Sequence, residues 1–325
     1  MSAGSTVHVR VPATSANLGP GFDTLGLALT LFDDVYATVT DGGLRIEIDG
    51  EGADLADAGE KHLVIQAMRA AFDRYADGVQ PPGIALRCVN RIPHGRGLGS
   101  SAAAIVAGVL SARALASAAG TGGTAGAGAS ADPLALATEI EGHPDNVAAC
   151  LLGGLTIAWT PDVGPARAIR LDPAAGIQPV VCIAPPDVAV STDLARQALP
   201  GQVPHAAAAA NAGRAALLIA ALTQPGLAGE LLPATRDWLH QDYRRPAMPD
   251  TYALVTALRR AGIAAVISGA GPSVLALVTS QDETSDGPGV DSVGSIVRET
   301  GKPWHISSLD VARRGACVQR VGERP

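Results

Sequence analysis

Three glycines and two hydroxyl side chains lie close together, between a run typical of a strand and an apolar run typical of a helix. They are Gly95, Gly97, Gly99, Ser100 and Ser101. Glycine permits tight turns and a close approach of the backbone to a ligand, and the first amides of a helix have no partner inside it. A segment of this kind can hold an anion, and phosphate is the usual ligand.

Two familiar phosphate-binding motifs do not match this segment. A Walker loop needs Lys and then Ser or Thr after its last glycine, but the chain has only two lysines, Lys61 and Lys302. The dinucleotide fingerprint needs a third Gly or Ala at the position of Ser100. We therefore expect a different phosphate loop, against the purely structural alternative of a glycine turn before a buried helix.

The composition predicts two domains and argues against some partners. The chain has 325 residues, 47% hydrophobic and 17% charged, which is enough for two ordinary cores. A net charge of −7 gives no broad basic surface, so we expect no nucleic-acid partner. No positively charged start precedes an apolar run, and no stretch has the length of a membrane span without polar breaks. We therefore expect a cytoplasmic protein without a membrane partner.

The four cysteines, Cys88, Cys150, Cys182 and Cys317, are widely spaced and form no Cys-x-x-Cys pair. This spacing predicts buried thiols in a reducing compartment rather than a zinc site or disulfides.

The elements that must position the glycine segment begin with a strand at residues 7–11, where Val alternates with polar residues. Pro12 ends the alternation, and a polar loop at 13–23 follows, carrying Asn17 and Asp23. On their own, these two side chains are equally consistent with the capping of a surface turn.

Two runs of alternating apolar residues, 35–39 and 44–48, are joined by Asp-Gly-Gly and predict a hairpin. An amphipathic helix at 63–75 and a strand at 84–88 then lead into the glycine segment. Residues 102–119 are small and apolar nearly all round, which predicts a helix in the core.

The middle of the chain contains a linker and the expected domain boundary. Residues 118–130 are a low-complexity Ala, Gly, Thr and Ser segment, typical of a flexible surface loop. A helix is predicted to start after an N-cap at Asp132 and to run to Glu141. A Pro-containing stretch at residues 161–165 separates an N-terminal domain, residues 1–163, from a C-terminal domain, residues 164–325.

The second half predicts alternating helices and strands around a second glycine loop at residues 268–273, between two strands, which indicates a close backbone approach. The predicted elements are strands at 180–184, 263–267, 274–278 and 304–309, helices at 192–199, 205–222, 249–261 and 290–301, and a turn at 287–289.

Three separated stretches, residues 12–23, 93–104 and 268–273, together resemble the GHMP kinases, the superfamily of galactokinase, homoserine kinase, mevalonate kinase and phosphomevalonate kinase. Within it, the first stretch and the segment 141–149 resemble the homoserine kinases in particular. The resemblance covers nearly the whole chain. It implies the α+β, two-domain GHMP kinase fold, with a ribosomal S5 domain 2-like N-terminal domain, a ferredoxin-like C-terminal domain and the active site between them. A homodimer is also implied.

The activity implied by the resemblance is phosphorylation of the side-chain hydroxyl of L-homoserine by ATP with Mg²⁺, on the way to threonine. Such a transfer depends mostly on positioning and electrostatic stabilisation, because the phosphates and the metal must be held in place and the acceptor hydroxyl must be in line. Three alternatives stay open: another kinase of the superfamily acting on mevalonate or a sugar, a non-catalytic nucleotide or amino-acid sensor, and a dinucleotide oxidoreductase.

The resemblance also implies roles for residues at the nucleotide. ATP would lie on Pro93, His94, Gly95, Arg96, Gly97, Leu98, Gly99, Ser100, Ser101, Ala102 and Ala103. Ser101 and Glu141 match the family's Mg²⁺ ligands, with Glu139 as the competitor for Glu141. His62 stands where homoserine kinases often carry an Asn near the adenine, and its ring could still donate to or accept from the base.

At the acceptor, Asp23 would bind the ammonium group, while Arg196 and Arg244 would bind the carboxylate, whose shape suits a planar guanidinium. Asn17 matches the residue near the reacting hydroxyl, and we expect Asn17 and Arg196 to assist a direct transfer without a named general base. The other implied substrate-binding residues are His143, Asn146, Thr192, Gly269 and Gly271.

Overall fold

The protein is described by a computed structural model that covers residues 1, 3–118, 132–186, 188, 192–279 and 289–321. Most of the predicted linker, from residue 119 onward, and the predicted turn at 287–288 lie outside these residues. The strands are β1 (Thr6–Ala16), β2 (Leu25–Thr40), β3 (Gly43–Gly50), β4 (Gly83–Asn90), β5 (Leu155–Trp159), β6 (Arg167–Leu171), β7 (Ile177–Ile183), β8 (Ala264–Ile267), β9 (Val274–Thr279), β10 (His305–Ser308) and β11 (Cys317–Arg320). The α-helices are α1 (Leu63–Tyr75), α2 (Ser100–Ala118), α3 (Pro133–Glu141), α4 (Asp145–Leu152), α5 (Thr192–Gln197), α6 (His205–Thr223), α7 (Leu231–Ala234), α8 (Gln241–Arg244), α9 (Pro249–Arg260) and α10 (Val290–Glu299).

The larger sheet has seven strands, five of them in the order β11-β1-β2-β4-β3. Strand β5 pairs with the first residues of β2, and β6 pairs with β5. The alternation of Val7, Val9 and Val11 puts all three side chains in the core, as predicted. Strands β6 and β11 come from the second half of the chain, so the larger sheet takes in residues on both sides of the predicted boundary near residue 163.

Two details of this sheet differ from the predictions. The runs before and after the Asp-Gly-Gly turn are strands, but they do not form a hairpin, because β4 lies between them and pairs in parallel with β3. Strand β1 does not end at Pro12 but continues to Ala16, with a shift of register between Pro12 and Ala13. A bulge of this kind accommodates a residue that has no N–H to give to the ladder.

Helices α1 to α4 cover the larger sheet, and α2 is the central one, in contact with β1 and with the other three helices. The small side chains of α2 let α1 approach closely. At Gly108 an added Cβ would overlap the carbonyl oxygen of Val64 and would lie 2.7 Å from the Cβ of Ala67. This glycine therefore sets the distance between the two helices.

Two helices are long and apolar enough to cross a membrane, contrary to the expectation that no stretch would be. They are α2, with 61% of its apolar window buried inside the protein, and α6, with 22%. Helices in the core of a protein pass the same test of length and composition, so passing it does not identify a membrane-spanning helix.

The smaller sheet is antiparallel, in the order β10-β7-β9-β8. With β7, β8, β9 and β10 as its four strands in chain order, this is the βαββαβ arrangement of a ferredoxin-like domain. Its core, which includes Val180, Ile267, Val274 and Val293, is distinct from the core under the larger sheet.

Cys88, Cys150 and Cys182 are buried free thiols, and burial raises the pKa of Cys88 to about 12, so these groups are inert. Cys317 on the edge strand β11 is exposed, which corrects the expectation that all four would be buried.

We predict that Gly108→Ala destabilises the protein by about 1–3 kcal/mol, because the new methyl group must push α1 away from α2. Replacing a glycine inside a helix by alanine normally stabilises a protein by about 0.5–1 kcal/mol. Destabilisation by Gly108→Ala would therefore reflect the close approach of α1 to α2. The matched control is Gly213→Ala on α6, where an added Cβ meets nothing within 4 Å and a small gain is expected. Urea unfolding of the two variants compares them, and a gain at both positions would contradict the prediction.

Candidate active site

The glycine loop, residues 93–103, leads from the end of β4 into the first turn of α2. Its three glycines adopt left-handed backbone angles, with φ of 64° at Gly95, 71° at Gly97 and 70° at Gly99, which side chains would disfavour. The carbonyl of Leu98 accepts a hydrogen bond from the backbone N–H of Thr14 at 3.0 Å, which ties the loop to β1. The amides at the start of α2 are thereby held at a fixed place beside the larger sheet.

The Ser268 loop, residues 268–273, joins the glycine loop from the other domain. The buried Ser268 hydroxyl donates to the Gly97 carbonyl at 2.6 Å and lies 2.8 Å from the Ser15 hydroxyl. Nothing larger than glycine fits at Gly97, since its Cβ would come within 2.9 Å of the Gly271 carbonyl oxygen. The two glycine loops predicted from the sequence are thus in direct backbone contact.

The loop at residues 17–23 completes the junction. Asn17 and Asp23 both have left-handed backbone angles, with φ of 68° and 52°, which are uncommon outside glycine. The Asn17 side-chain oxygen accepts from the Asp23 N–H at 2.9 Å, and its NH₂ group donates to the Gly269 carbonyl at 2.9 Å. The amide therefore holds the Asp23 backbone in place and keeps a second N–H for a further partner.

Asp23 and Arg196 form a bidentate ion pair, with N–O distances of 2.7 and 3.0 Å between α5 and the 17–23 loop. Both side chains are about one-third exposed. The bond to Asp23 raises the pKa of Arg196, so the guanidinium is firmly charged. The two groups expected to bind opposite ends of a zwitterion bind each other here.

Arg244 on α8 lies deeper, with 2% of its surface exposed. Its guanidinium donates to the Gly269 and Ala195 carbonyls at 3.1 and 3.3 Å and lies 3.1 Å from Nδ1 of His240. Burial, with the charge of Arg196 adding to it, lowers the pKa of Arg244 to about 10. The group still carries its charge at neutral pH, and no carboxylate of the described residues neutralises it within 4.0 Å.

Phe22 is a member of this cluster that sequence reasoning missed. Its ring lies 5.8 Å from the guanidinium carbon of Arg196 and 5.6 Å from that of Arg244, and it stacks on His240 at 5.1 Å. A ring face attracts cations, so Phe22 holds two guanidinium groups near each other. The only available signal was its place beside Asp23 in the loop.

At the other end of the site, the Ser101 hydroxyl donates to the Glu141 carboxylate at 2.7 Å. Burial raises the pKa of Glu141, and the bond from Ser101 opposes that rise. Glu139, the competitor, points away and pairs with Arg74 at 2.7 Å on the surface. The geometry therefore favours Glu141 as the partner of Ser101.

His143, Asp145 and Asn146 form the wall between the two ends. Nδ1 of His143 lies 2.7 Å from Asp145, which raises the pKa of His143, and the Asn146 N–H donates to the same carboxylate at 2.7 Å. The Asn146 side chain in turn accepts from the Thr14 hydroxyl at 2.7 Å. Asp145 is a second residue missed in the sequence, because an acid in the first turn of a helix is commonly only a cap.

A cavity of about 140 Å³ brings most of these groups together. The predicted residues that line it are Asn17, Asp23, Gly95, Gly97, Gly99, Ser100, Ser101, Glu141, His143, Asn146, Arg196, Arg244, Gly269 and Gly271. Pro93, Arg96, Leu98 and Ala102 support the glycine loop without lining this cavity, and Leu98 and Ala102 are in the core. The side chain of Thr192 lies outside the described part of the structure.

A second, more apolar cavity of about 300 Å³ opens beside the first, and Ser100 and Ser101 line both. His62, His94 and Ala103, three of the residues predicted to bind the nucleotide, line this second cavity.

Asp33 also lines it and was not predicted. Its carboxylate accepts the backbone N–H groups of Arg91 and Ile92 at 2.6 and 2.9 Å, which positions the start of the glycine loop.

His62 is 8% exposed, and its Nδ1 has no hydrogen-bond partner in the described structure. Burial lowers the pKa of His62, and the nearby His94 lowers it further. The neutral ring offers one donor and one acceptor to a ligand in the cavity.

The residues present fit a divalent cation of the Mg²⁺ type only together with a ligand. No group of three His, Cys, Asp or Glu residues in the described ranges could hold a metal alone. Mg²⁺ is commonly bound by one or two carboxylates plus substrate phosphates, and it prefers oxygen. The Ser101 hydroxyl and the Glu141 carboxylate, facing each other beside the glycine loop, meet this requirement.

Comparisons with known proteins identify the family to which this fold belongs. The family model "GHMP kinases N terminal domain" matches residues 62–154, and "GHMP kinases C terminal" matches residues 207–286. The fold is therefore that of a GHMP kinase.

The curated relatives narrow the family. The homoserine kinase of Streptomyces avermitilis is 55% identical over 318 residues, covering 97% of this chain and 96% of the relative. That of Streptomyces coelicolor is 54% identical over 318 residues, with 97% and 94% covered. The crystal structure of homoserine kinase from Cytophaga hutchinsonii aligns with a TM-score of 0.77 at 29% identity, covering 98% of this chain and 99% of that one. The chain belongs to the homoserine kinase family, and it is an ATP-dependent kinase that acts on a hydroxyl group.

We predict that His62 makes the ligand-free protein less stable as the pH falls below about 6.5, the ordinary pKa of histidine. Its folded-state pKa is lowered, so the unfolded state binds more protons in this range and acid favours unfolding. A His62→Asn variant should lose less thermal stability than the parent between pH 7 and pH 5. His205→Asn, at an exposed residue at the start of α6, is the control. Equal pH slopes for the parent and His62→Asn in scanning calorimetry would contradict the prediction.

Proposed function

We propose that the protein transfers the γ-phosphoryl group of ATP to the side-chain hydroxyl of L-homoserine, with Mg²⁺. The observation that carries the proposal is the division of the 140 Å³ cavity into two chemically different ends. One end has a carboxylate and two guanidinium groups, Asp23, Arg196 and Arg244. The other has the start of α2 and the Ser101–Glu141 pair. An amino acid that carries a hydroxyl on a short side chain matches both ends at once.

The zwitterionic part of homoserine binds at the first end. Its ammonium group pairs with Asp23, and its carboxylate pairs with Arg196 and the buried Arg244, whose charge lacks an anionic partner in the described structure. Buried charges are costly unless paired, so the site gains most from a ligand that supplies the missing anion. His143, Asn146, Thr192 and the backbone at Gly269 and Gly271 complete the substrate contacts.

The nucleotide occupies both cavities. Its base fills the apolar cavity beside His62, and its phosphates lie along the glycine loop, where backbone amides and the helix dipole favour negative charge. Ser101 and Glu141 would hold Mg²⁺, which would supply positive charge to the phosphates when bound. No lysine lines the 140 Å³ cavity, and Lys61 lines only the apolar one. Amides and the metal would therefore carry this work at the phosphates.

The transfer proceeds in line, from the phosphate end to the acceptor hydroxyl. The chain's contribution is position and electrostatics: α2 and the glycine loop fix the donor, and the 17–23 loop fixes the acceptor. Asn17 places its remaining N–H near the hydroxyl, and Arg196 stabilises negative charge that builds up on the transferred group. Asp23 is occupied by the ammonium group, and Asp145 by His143 and its own helix, so neither is assigned as a general base.

Asp23→Asn is predicted to raise the KM for L-homoserine about tenfold or more, since a charge-assisted bond to the ammonium group is worth roughly 1.5–3 kcal/mol. The KM for ATP should be unchanged. Asp250→Asn, which breaks a surface ion pair with Lys302, is the control. The assignment fails if Asn17→Ala leaves turnover intact while Asp23→Asn abolishes turnover without raising the homoserine KM.

For the metal, Glu141→Gln is expected to raise the Mg²⁺ concentration needed for half-maximal rate by roughly tenfold or more, because it removes the carboxylate ligand. Glu139→Gln is a matched control two residues away, where only a surface ion pair with Arg74 is lost and little change is expected. Steady-state rates across a Mg²⁺ series compare the variants. Equal Mg²⁺ requirements, or a larger effect from Glu139→Gln, would overturn the assignment.

The deciding experiment for the function is release of ADP with L-homoserine, compared with L-serine, L-threonine and mevalonate. We expect turnover to be fastest with L-homoserine. Turnover with mevalonate and none with homoserine would assign the chain to another acceptor, and binding of MgATP without turnover on any acceptor would indicate a sensor.

A further inference from the structure

A pocket of about 400 Å³ lies in the C-terminal domain, and Gln241 and Asp242 of α8 line part of it. Three guanidinium groups line it, from Arg236, Arg259 and Arg260. None of the three forms an ion pair with a carboxylate of the described residues. A volume of this size is in the range of small-molecule sites.

Arg259 is the most informative of the three, because it is half-buried and bonded only to uncharged groups. It donates to the Thr235 hydroxyl at 2.8 Å and to the Leu232 and Ala265 carbonyls at 2.7 and 3.2 Å. These three bonds use part of its five N–H groups and leave its charge without a counter-ion. Burial and the charge of Arg236 lower the pKa of Arg259, which reflects the same unbalanced charge.

The two carboxylates of the pocket are engaged elsewhere. Asp237 accepts the backbone N–H groups of Leu239, His240 and Gln241 at 2.7–3.0 Å, as the cap of α8. Asp242 accepts the Tyr252 hydroxyl at 2.7 Å. Neither lies within ion-pairing distance of the three guanidinium groups, so the pocket has room for an anion from solution.

Two residues that line the pocket are connected through the chain to residues of the acceptor site. Gln241, the first residue of α8, accepts the backbone N–H of Ile267 at 2.7 Å, and both residues line the pocket. Three residues further along α8, Arg244 reaches into the acceptor cavity, and Ile267 is followed directly by Ser268. A ligand that moves the Gln241–Ile267 contact would move both of these groups.

We propose that this pocket binds a small phosphate-bearing anion, and that its occupancy changes the affinity of the acceptor site through α8. Phosphate is preferred to a single carboxylate because a phosphate monoester dianion has three terminal oxygens, which can engage several guanidinium forks. The apolar wall formed by Leu232 and Val255 suits a short carbon body on the same ligand.

The binding test is titration calorimetry of the full chain with inorganic phosphate and with glycerol 3-phosphate, at constant ionic strength. The protein is first saturated with a non-hydrolysable MgATP analogue, which fills the glycine loop. Both probes should bind the parent and bind an Arg236→Ala/Arg260→Ala variant at least about tenfold more weakly, the loss expected for charge-assisted bonds. Arg298→Ala, an exposed change on α10, should bind like the parent.

Arg259 is left intact in this test because its bonds to Leu232 and Ala265 support the fold. The proposal is overturned if the double variant binds phosphate as tightly as the parent, or if succinate binds as tightly as the two phosphate probes. Thermal melts of each variant without ligand verify that a loss of binding is not a loss of folding.

The coupling is tested by the KM for L-homoserine with and without saturating glycerol 3-phosphate, a measurement that rests on the proposed function. The KM should shift at least twofold in the parent and stay constant in the double variant. A KM insensitive to the probe in the parent would overturn the coupling. If homoserine is not the acceptor, the calorimetric test still decides whether the pocket binds phosphate.

Discussion

One buried hydroxyl joins the parts of this enzyme. Ser268, from the smaller domain, donates to the Gly97 carbonyl of the glycine loop and touches the Ser15 hydroxyl at the end of β1. The three segments that meet there are the glycine loop, the end of β1 that leads into the 17–23 loop, and the Ser268 loop. Because buried hydroxyls must be hydrogen-bonded, this contact fixes a single relative placement of the two sheets.

The two ends of the cavity provide positive electrostatic potential in different ways. At the nucleotide end, positive potential comes from backbone amides and a helix dipole, which need no flexible side chain to be ordered. At the acceptor end, it comes from two guanidinium groups near one phenyl ring, with Arg244 fully enclosed. Enclosing a charge is unfavourable for folding, so the C-terminal domain gives up stability in order to hold a cation where, under the proposed function, the acceptor carboxylate binds.

The sequence predicted best where the chemistry is local. The glycine loop before α2 and the N-cap at Asp132 could be identified from residue types alone, since each depends on neighbouring backbone. Strand pairing could not, because the partner of β3 depends on which strand lies between, not on the turn before it. Phe22 and Asp145 were missed for the same reason: their importance comes from groups far along the chain that contact them only in the folded protein.

The ion pair between Asp23 and Arg196 has a consequence for which molecules the enzyme can admit. Asp23 and Arg196 pair with each other in this structure, so a ligand that binds both of them must offer each a new partner. An amino acid replaces both. A hydroxy acid without the amine that paired with Arg196 would leave Asp23 without a cation. An amino alcohol without the carboxylate that paired with Asp23 would leave Arg196 without an anion. The site therefore discriminates by an exchange of partners, which excludes half-matched molecules without a steric barrier.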